Sequence, residues 1–365
     1  MNKHERVIII LDGQAGSCGK GKIAGWYAKN QHIDAAISNA MSNSGHVFVS
    51  GDEKRTFRNI PVSSVNPNIQ LFLGAGSAID LEVLAKEYES NKDILENRGD
   101  IIVHPRVPLI EQRHKDIEKS LIRSGSTFTG GGACLADKVL RNPDLKFFQE
   151  YKNIKADESY VDRINRILND KGTILIEGSQ GCDLDLNNGT DYPHVTSRQC
   201  SAAQMLADSC VPPSAVTDII MIIRPYPIRI SNKTELGINI NSGKYGKSNE
   251  ITWQQINKDS LAYLDKDVVD FTETTTVTKK VRRVFELDID RLKHNIKINR
   301  PTEIVLNFFQ HLDSEFSRLR GNYKELYINK GAREYINWLE SELNTPITIL
   351  GTGEDLKDII LRPLT

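Results

Sequence analysis

The sequence has no excess of charge of either sign, with 47 lysines and arginines against 48 aspartates and glutamates and a formal net charge of -1. Proteins that bind nucleic acid present a basic face, so this balance predicts no nucleic-acid partner. No apolar run approaches the ~18 residues that a membrane span requires, and the polar start of the chain does not resemble a signal peptide. We therefore expect a cytoplasmic protein that contacts no membrane.

Paired cysteines are also missing. The five cysteines form no C-x-x-C motif and are Cys18, Cys134, Cys182, Cys200 and Cys210. An odd number without the spacing of a metal site argues against both a zinc centre and a disulfide framework. We expect five free thiols in a reducing compartment.

The apolar residues of the chain are grouped in short runs of three to six residues. They are rich in β-branched residues, do not alternate with polar residues, and cover 6–11, 69–73, 101–103, 174–176, 219–223, 303–306 and 347–350. Such runs are typical of strands buried on both faces of a mostly parallel sheet. Amphipathic stretches at 81–90, 110–123 and 333–343 predict helices between them. We expect an α/β fold, a single large domain over residues 1–365 with a central mostly parallel β-sheet flanked by helices and no internal boundary.

A glycine-rich loop from Gly13 to Lys22, with the sequence GQAGSCGKGK, follows the first predicted strand and opens a helix. Its glycines allow backbone N–H groups to turn towards phosphate oxygens, while Lys20 and the helix N-terminus add positive potential. The spacing differs from the standard P-loop, because five residues separate Gly13 from the Gly19-Lys20 pair and Gly21 replaces the usual Ser or Thr. An ordinary strand–helix turn would need neither lysine, so we expect a phosphate-binding loop.

This loop resembles the phosphate loop of adenylosuccinate synthetases, whose pattern is G-x-Q-x-G-D-E-G-K-G-K. Members of that family share a single α/β fold with a mostly parallel sheet and work as homodimers. They couple a 6-oxopurine nucleotide to aspartate, driven by cleavage of a nucleoside triphosphate. The resemblance implies the same fold, a homodimer, Mg²⁺ as cofactor and activation of a purine nucleotide by phosphoryl transfer.

Further segments resemble the family's motifs in the family's order. They are 43–47 (NSGHV), 125–127 (GST), 137–141 (DKVLR), 177–181 (EGSQG), 192–197 (YPHVTS), 276–283 (TVTKKVRR) and 351–353 (GTG). By this resemblance His46 is a general acid, the Gly45 carbonyl binds Mg²⁺, and Arg141 reaches the nucleotide phosphate in the partner subunit. Each segment alone has an ordinary structural explanation. Because all of them follow the order of the family's motifs, the resemblance to the family is the better explanation.

The sequence departs from the family at positions that bear on function. Ser17 and Cys18 replace the loop Asp–Glu pair, whose Asp takes the N1 proton of the purine and ligates Mg²⁺, and loss of a general base typically costs about 10²- to 10⁴-fold in rate. Lys280 replaces an arginine near the nucleotide ribose. Gln310 replaces the aspartate that pairs with the guanine of GTP, and a neutral amide cannot offer the same paired acceptors, which favours ATP. The chain is also shorter than the cellular enzymes.

These departures match a branch of the family that acts on dGMP and is encoded by phages whose DNA carries 2-aminoadenine. Guanine presents N1–H and a 2-amino group on one edge, where a carboxylate would crowd the added amine. The small, neutral Ser17 would let the base seat with O6 towards the γ-phosphate. The resemblance implies a ligase that couples dGMP to L-aspartate with ATP through a 6-phosphoryl intermediate, giving N6-succino-2-amino-2'-deoxyadenylate for 2-aminoadenine DNA. A viral protein of this kind would act in the host cytoplasm.

The residue roles implied by the resemblance fall into five sets. The catalytic residues are Ser17, Lys20 and His46. The residues implied to bind ATP are Gly16, Ser17, Cys18, Gly19, Lys20, Gly21, Gly45, His46, Val47, Arg282, Gln310, Gly351, Thr352 and Gly353. Those implied to bind dGMP are Ser17, Asn43, Thr127, Arg141, Gln180, Thr196 and Lys280. Those implied to bind aspartate are Thr276, Val277, Thr278, Lys280 and Arg282, and those implied to hold the metal are Ser17 and Gly45.

Two other functions remain open at the level of sequence. An ordinary adenylosuccinate synthetase acting on IMP with GTP would have to work without the loop carboxylate. A nucleotide-binding pseudoenzyme would have kept the fold and lost the chemistry. The retention of Lys20, His46 and Arg282 argues against the pseudoenzyme.

Overall fold

The computed structural model describes residues 6–121, 127–235, 238–260, 270–274, 280–324, 326 and 328–362. The strands in these residues are β1 (Arg6–Asp12), β2 (Ala35–Ser38), β3 (His46–Ser50), β4 (Glu53–Phe57), β5 (Gln70–Leu73), β6 (Ile101–Val103), β7 (Glu150–Tyr151), β8 (Ile154–Ala156), β9 (Thr173–Glu177), β10 (Val216–Ile223), β11 (Ile228–Arg229), β12 (Lys233–Glu235), β13 (Ile238–Ile240), β14 (Glu250–Ile251), β15 (Arg283–Phe285), β16 (Glu303–Leu306), β17 (Gly321–Asn322), β18 (Ile347–Gly351) and β19 (Ile359–Leu361). The helices are α1 (Lys20–Asn30), α2 (Leu81–Ser90), α3 (Lys92–Leu95), α4 (Gln112–Leu121), α5 (Gly131–Val139), α6 (Tyr160–Asn169), α7 (Ala202–Ser209), α8 (Trp253–Asp259), α9 (Ile289–Asn299) and α10 (Lys330–Leu343). Each apolar run predicted as a strand overlaps an observed one, which confirms the α/β class.

A 12-stranded sheet forms the centre of the molecule, in the order β17-β19-β18-β16-β10-β1-β9-β2-β5-β6-β8-β7. All neighbouring strands pair in parallel except β18 with β19 and β7 with β8, which lie near the two edges. The predicted mostly parallel sheet is therefore confirmed. The extent of the domain over residues 1–365 stays a prediction.

Strand β1 shows why the apolar runs do not alternate. Val7, Ile9 and Leu11 belong to one hydrophobic cluster, while Ile8 and Ile10 belong to a second cluster on the other face. Both faces of the strand are therefore buried under helices, so every position selects an apolar residue. None of the helices in the described part of the chain is long and apolar enough to cross a membrane.

The parallel sheet brings the predicted motifs to one edge. The phosphate loop follows β1, and the segments with Asn43, Gln180 and Gln310 follow the parallel strands β2, β9 and β16. Because these strands run in the same direction, their carboxyl ends meet at the same edge, which is where open α/β sheets bind ligands. The fold thus gathers segments far apart in sequence into one cleft.

Candidate active site

The phosphate loop has the conformation that its glycines predict. Gly16 and Gly19 have φ angles of 90° and 92°, in the left-handed region that favours glycine. A side chain on Gly19 would also collide with the Asn307 amide, and one on Gly21 would come within 2.5 Å of the Val47 carbonyl oxygen. The loop therefore packs against β3 and the end of β16 only because these positions lack a Cβ.

A buried carboxylate lies beneath the loop. Asp12, at the end of β1, is 1% exposed and accepts hydrogen bonds from the backbone N–H of Gln14 at 3.0 Å and of Cys18 at 2.9 Å. Its Oδ2 also accepts from Lys20 Nζ at 3.3 Å. Sequence reasoning did not assign Asp12 a role, although a charged residue closing an apolar strand directly before the loop was the available signal.

Lys20 is the first residue of helix α1, and its side chain is 6% exposed. Besides the pair with Asp12, its ammonium donates to the backbone carbonyl of Gln180 at 2.5 Å. The lysine is therefore held between β1 and the loop after β9, with its charge next to Asp12. This position suits an ammonium that contacts the phosphates of a nucleotide.

His46 begins β3, which pairs with β4 in a hairpin that packs on α1. Desolvation by the surrounding protein, and then the charge of Lys20, lower the pKa of His46 to about 3. The imidazole is therefore neutral in the free protein near pH 7. Gly45 beside it is exposed and Val47 is partly exposed, and their predicted roles in ATP binding stay predictions.

Two predicted nucleotide-binding residues contact each other directly. Gln180 has a φ of 62° and donates from Nε2 to Asn43 Oδ1 at 3.1 Å. Nearby in sequence, the hydroxyl of Thr196 is buried and has no hydrogen-bond partner among the described residues. A buried hydroxyl without a partner is costly, so it favours a ligand atom at this position.

Arg282 and Ser17 meet, although 265 positions separate them. Arg282 Nη1 donates to Ser17 Oγ at 2.9 Å, and Arg224 Nη1 donates to the Ser17 carbonyl at 3.1 Å. Arg224 is fully buried and makes a two-pronged ion pair with Glu273. Sequence reasoning missed both Arg224 and Glu273, since nothing in the spacing of an arginine after β10 and a glutamate 49 residues later links them.

The predicted aspartate loop is only partly described. Thr276, Val277 and Thr278 lie outside the described residues, so their predicted roles stay predictions. Lys280 is exposed at the start of the next described segment. The flanks of the segment are paired, because Thr274 and Val281 form an antiparallel bridge.

Gln310 and the C-terminal segment lie at the ends of the neighbouring strands β16 and β18. Gln310 is 8% exposed, and its Oε1 has no partner among the described residues. Lys22 Nζ donates to the carbonyl of Gly353 at 2.8 Å, and burial lowers its pKa to about 7. The hydroxyl of Thr352 donates to Leu319 O at 2.5 Å. Lys22 therefore ties the C-terminal segment that includes Gly351 to the phosphate-loop helix.

Thr127 and Arg141 stand apart from this cluster. Thr127 is exposed, with its Oγ1 3.4 Å from that of Thr129, and Arg141 is exposed just after α5 with a φ of 56°. Val139 and Leu140, directly before Arg141, are 79% and 75% exposed. Among the described residues, no hydrogen bond links either Thr127 or Arg141 to the phosphate loop.

The site offers few protein ligands for a metal. Among the described residues, no three His, Cys, Asp or Glu side chains come together as a metal site. Mg²⁺ at nucleotide sites commonly relies on substrate phosphates and waters with one or two protein oxygens. The exposed Gly45 carbonyl fits this pattern. The Ser17 hydroxyl already accepts from the Arg282 guanidinium, which disfavours a second cation at the same oxygen.

Comparisons with known proteins show which proteins the chain resembles. The sequence profile of the adenylosuccinate synthetase family matches residues 9–149 and 145–320. The chain is 32% identical over 318 residues to N6-succino-2-amino-2'-deoxyadenylate synthase of Vibrio phage phiVC8, covering 84% of this chain and 87% of that protein. It is 27% identical to the adenylosuccinate synthetase of Pyrococcus horikoshii, covering 97% and 98%.

A solved structure resembles the whole chain. The succinoaminodeoxyadenylate synthetase PurZ of cyanophage S-2L, bound to dGMP and to dATP as an energy donor, superposes with a TM-score of 0.80 at 26% identity. The match covers 99% of this chain and 96% of the cyanophage protein. The family profile and these matches agree with the phosphate loop, the parallel sheet and the ordered motifs, and the chain belongs to the adenylosuccinate synthetase family.

Proposed function

We propose that this protein is a carbon–nitrogen ligase that couples dGMP to L-aspartate with ATP hydrolysis and gives N6-succino-2-amino-2'-deoxyadenylate for 2-aminoadenine DNA. The observation that carries the proposal is Ser17, a neutral residue whose hydroxyl is held by Arg282 at 2.9 Å. The phage synthase, whose name states this product, is 32% identical to the chain. The cyanophage relative binds dGMP and dATP.

The first step is transfer of the γ-phosphoryl group of ATP to O6 of the purine, because an amide oxygen is a poor leaving group. The loop amides from Gly16 to Gly21 and the Lys20 ammonium stabilise the negative charge on the transferring group. Asp12 and the Gln180 carbonyl hold that ammonium in place before the nucleotide arrives. The Gly45 carbonyl would help to hold Mg²⁺, which would neutralise part of the same charge.

His46 stands beside Lys20 and acts on the oxygen that gathers charge. Its imidazole is neutral in the free protein, with its pKa lowered to about 3. Phosphate anions bound next to it would favour the charged form and raise that pKa. O6 attacks the γ-phosphorus, ADP leaves and the N1 proton of guanine is released to water, while His46 donates a hydrogen bond to the oxygen that gathers charge.

In the second step the α-amino group of aspartate displaces phosphate at C6. Arg282 binds a carboxylate of aspartate, since a guanidinium suits two-pronged carboxylate binding better than an ammonium. Its hydrogen bond to Ser17 Oγ at 2.9 Å supports a position next to the edge of the purine. In the proposal, Lys280 and Thr278 also bind the carboxylates of aspartate, and Thr276 and Val277 shape the loop that binds it.

The dGMP site combines a small loop residue with neutral polar groups. Ser17 leaves room for the 2-amino group and N1–H of guanine, which a carboxylate would attract and crowd. The paired amides of Asn43 and Gln180, 3.1 Å apart, stand at the same edge of the sheet. The unpartnered hydroxyl of Thr196 offers a further hydrogen bond to the nucleotide, whose phosphate Thr127 is proposed to bind.

The energy donor is proposed to be ATP or dATP. Gln310 Oε1 is a buried acceptor without a partner in the described residues, and the 6-amino group of adenine is a donor that would satisfy it. Gly351, Thr352 and Gly353 border the same base, with Gly353 held by Lys22. An amide at position 310 cannot offer guanine the two acceptors of a carboxylate.

A homodimer would complete the site. Arg141 is exposed beside Val139 and Leu140, which are 79% and 75% exposed, and large apolar side chains in such a position favour burial against another surface. In the dimer Arg141 reaches the nucleotide phosphate of the partner subunit. The five cysteines are all free thiols, which agrees with work in the reducing cytoplasm of an infected host.

One experiment tests the proposal against both alternatives. The pure protein is incubated with aspartate and Mg²⁺ while dGMP or IMP is crossed with ATP or GTP, and the succinyl adduct is measured by mass. We expect an adduct from dGMP with ATP and none from a Lys20→Met control. An adduct from IMP alone would indicate an ordinary adenylosuccinate synthetase, and none from any pair would indicate a pseudoenzyme.

A second experiment tests the shared site. Arg141→Leu and Lys20→Met are each expected to be inactive, because each lacks one half of every active site. Mixed dimers contain one site in which both residues are intact, so mixing the two variants should restore part of the activity. Mixtures that stay inactive after subunit exchange would contradict the role of Arg141 in the partner's site.

A further inference from the structure

Ser17 is held at two of its oxygens by two different arginines. Arg282 donates to its hydroxyl at 2.9 Å, and Arg224 donates to its carbonyl at 3.1 Å. Ser17 has a φ of 57°, a left-handed conformation that a residue other than glycine adopts only at some cost in energy. The contacts from the two guanidinium groups stabilise that conformation.

Glu273 connects the two arginines. Its carboxylate makes a two-pronged pair with Arg224, with one distance of 3.2 Å, and its Oε2 lies 3.9 Å from Arg282 Nε. Its backbone carbonyl also accepts from the Arg282 N–H at 2.9 Å. Burial acts to raise the pKa of Glu273, but the arginine charges outweigh it and hold the pKa below its ordinary value.

Arg224 has little freedom to leave this arrangement. Its side chain is fully buried, and its guanidinium lies 4.0 Å from the ring centre of Phe308. Its Nε has no hydrogen-bond partner among the described residues, so the pair with Glu273 is its main compensation for burial. Removing one partner of a buried ion pair leaves the other charge uncompensated, which disturbs everything that it orients.

We propose that Glu273 and Arg224 are positioning residues that fix Arg282 against Ser17, and that they thereby set the affinity of the site for its dicarboxylate substrate. The inference rests on the proposed function, in which Arg282 binds aspartate. Glu273 touches no substrate in this arrangement and acts through the two arginines. It joins the phosphate loop and the flank of the aspartate-binding segment into one unit.

The test compares Glu273→Gln with a matched control. Glutamine keeps the size of the side chain but removes the charge that holds Arg224 and Arg282. Glu250 makes a similar two-pronged pair with Arg283, at 2.9 and 2.6 Å, and no hydrogen bond among the described residues links this pair to Ser17, so Glu250→Gln is the control. The KM of each substrate is measured from adduct formation, and aspartate binding in the presence of dGMP is measured by calorimetry.

We expect Glu273→Gln to raise the KM and the Kd for aspartate about tenfold or more, as for loss of a charge-assisted hydrogen bond, while the KM for dGMP changes much less. Glu250→Gln should leave the three KM values unchanged. Combining Glu273→Gln with Arg282→Lys should cost less than the sum of the two single effects, because both act through one guanidinium.

Three outcomes would overturn the inference. They are an unchanged aspartate affinity, equal rises in the KM of all three substrates, and additive effects in the double variant. If Glu273→Gln does not fold, Glu273→Asp keeps the charge but not the reach, and it should give the same selective loss for aspartate. A wild-type protein that binds aspartate but forms no adduct would instead refute the proposed function and leave the calorimetric comparison valid.

Discussion

Replacing Ser17 with aspartate should strongly reduce the turnover of dGMP. The new carboxylate would lie within hydrogen-bonding distance of Arg282, whose Nη1 is 2.9 Å from the present hydroxyl, and beside Arg224. Aspartate tolerates the left-handed conformation of Ser17, with its φ of 57°, better than most residues, so the backbone has no reason to move. The side chain would therefore capture the guanidinium proposed to bind the substrate aspartate.

The size of the effect follows from this contact. Two unit charges about 3 Å apart attract by about 5 kcal/mol at an effective dielectric constant of ~20. Because Ser17 is exposed, most of that attraction is offset by water, and a charge-assisted hydrogen bond typically contributes a net ~1.5–3 kcal/mol. Competition of that size corresponds to about 10- to 100-fold weaker binding of substrate aspartate. Crowding of the guanine 2-amino group adds to the loss.

The assay is formation of the succinyl adduct from dGMP, aspartate and ATP, with KM and kcat measured for Ser17→Asp and Ser17→Asn. Asparagine matches aspartate in size without its charge, so it separates charge capture from crowding. We expect kcat/KM for aspartate, measured with dGMP, to fall at least about 10- to 100-fold in the aspartate variant. The asparagine variant should keep a near-normal KM for aspartate. Unchanged dGMP turnover by Ser17→Asp would refute the reasoning.

Three further predictions concern the charges and acceptors around the loop. Asp12→Asn should lower kcat at least about tenfold, because Lys20 loses its charged partner. An unchanged kcat in a folded variant would show that Asp12 does not contribute to catalysis. In NMR spectra of the free protein, His46 should titrate with a pKa near 3. A bound non-hydrolysable ATP analogue should raise this pKa, because its phosphates favour the imidazolium. If the pKa does not rise, His46 does not lie next to the phosphates. Since the folded-state pKa of His46 is lower than the unfolded one, its contribution to stability should be lost as pH falls from ~6.5 towards 3, and His46→Gln should weaken this acid sensitivity of the unfolding free energy. Gln310→Asp should raise the ratio of kcat/KM for GTP over ATP, and an unchanged ratio would show that residue 310 does not read the donor base.

The sequence predicted the fold because each of its signals is local. The apolar runs of β1, β9 and β10 mark strands buried on both faces. The glycines and Lys20 of the loop after β1 predict a phosphate site by themselves. Asn43 and Gln180 were found through their motifs, and their contact at 3.1 Å places both at one edge of the sheet.

The residues that the sequence did not reveal work through distant partners. Glu273 and Arg224 are 49 positions apart, and neither belongs to a motif that names a charge pair. From the sequence alone, Asp12 is only the polar end of a strand. The structure shows that its carboxylate accepts hydrogen bonds from the Cys18 amide and the Lys20 ammonium. Only the folded structure shows that these residues contact the loop or pair with the residues that do.

The same packing explains why a neutral residue at position 17 suits the chemistry. In the described part of the site, Lys20, Arg224 and Arg282 face the carboxylates of Asp12 and Glu273, so the cluster carries one positive charge in excess. Both carboxylates are committed to these cations and to loop amides, which leaves the excess charge for incoming phosphates and for the substrate carboxylate. A carboxylate at position 17 would cancel that excess and occupy Arg282. Under the proposed function, Ser17 therefore does more than leave space beside the purine. It keeps the positive charge of the site available for anions, which would make the loss of a loop carboxylate compatible with ligase activity.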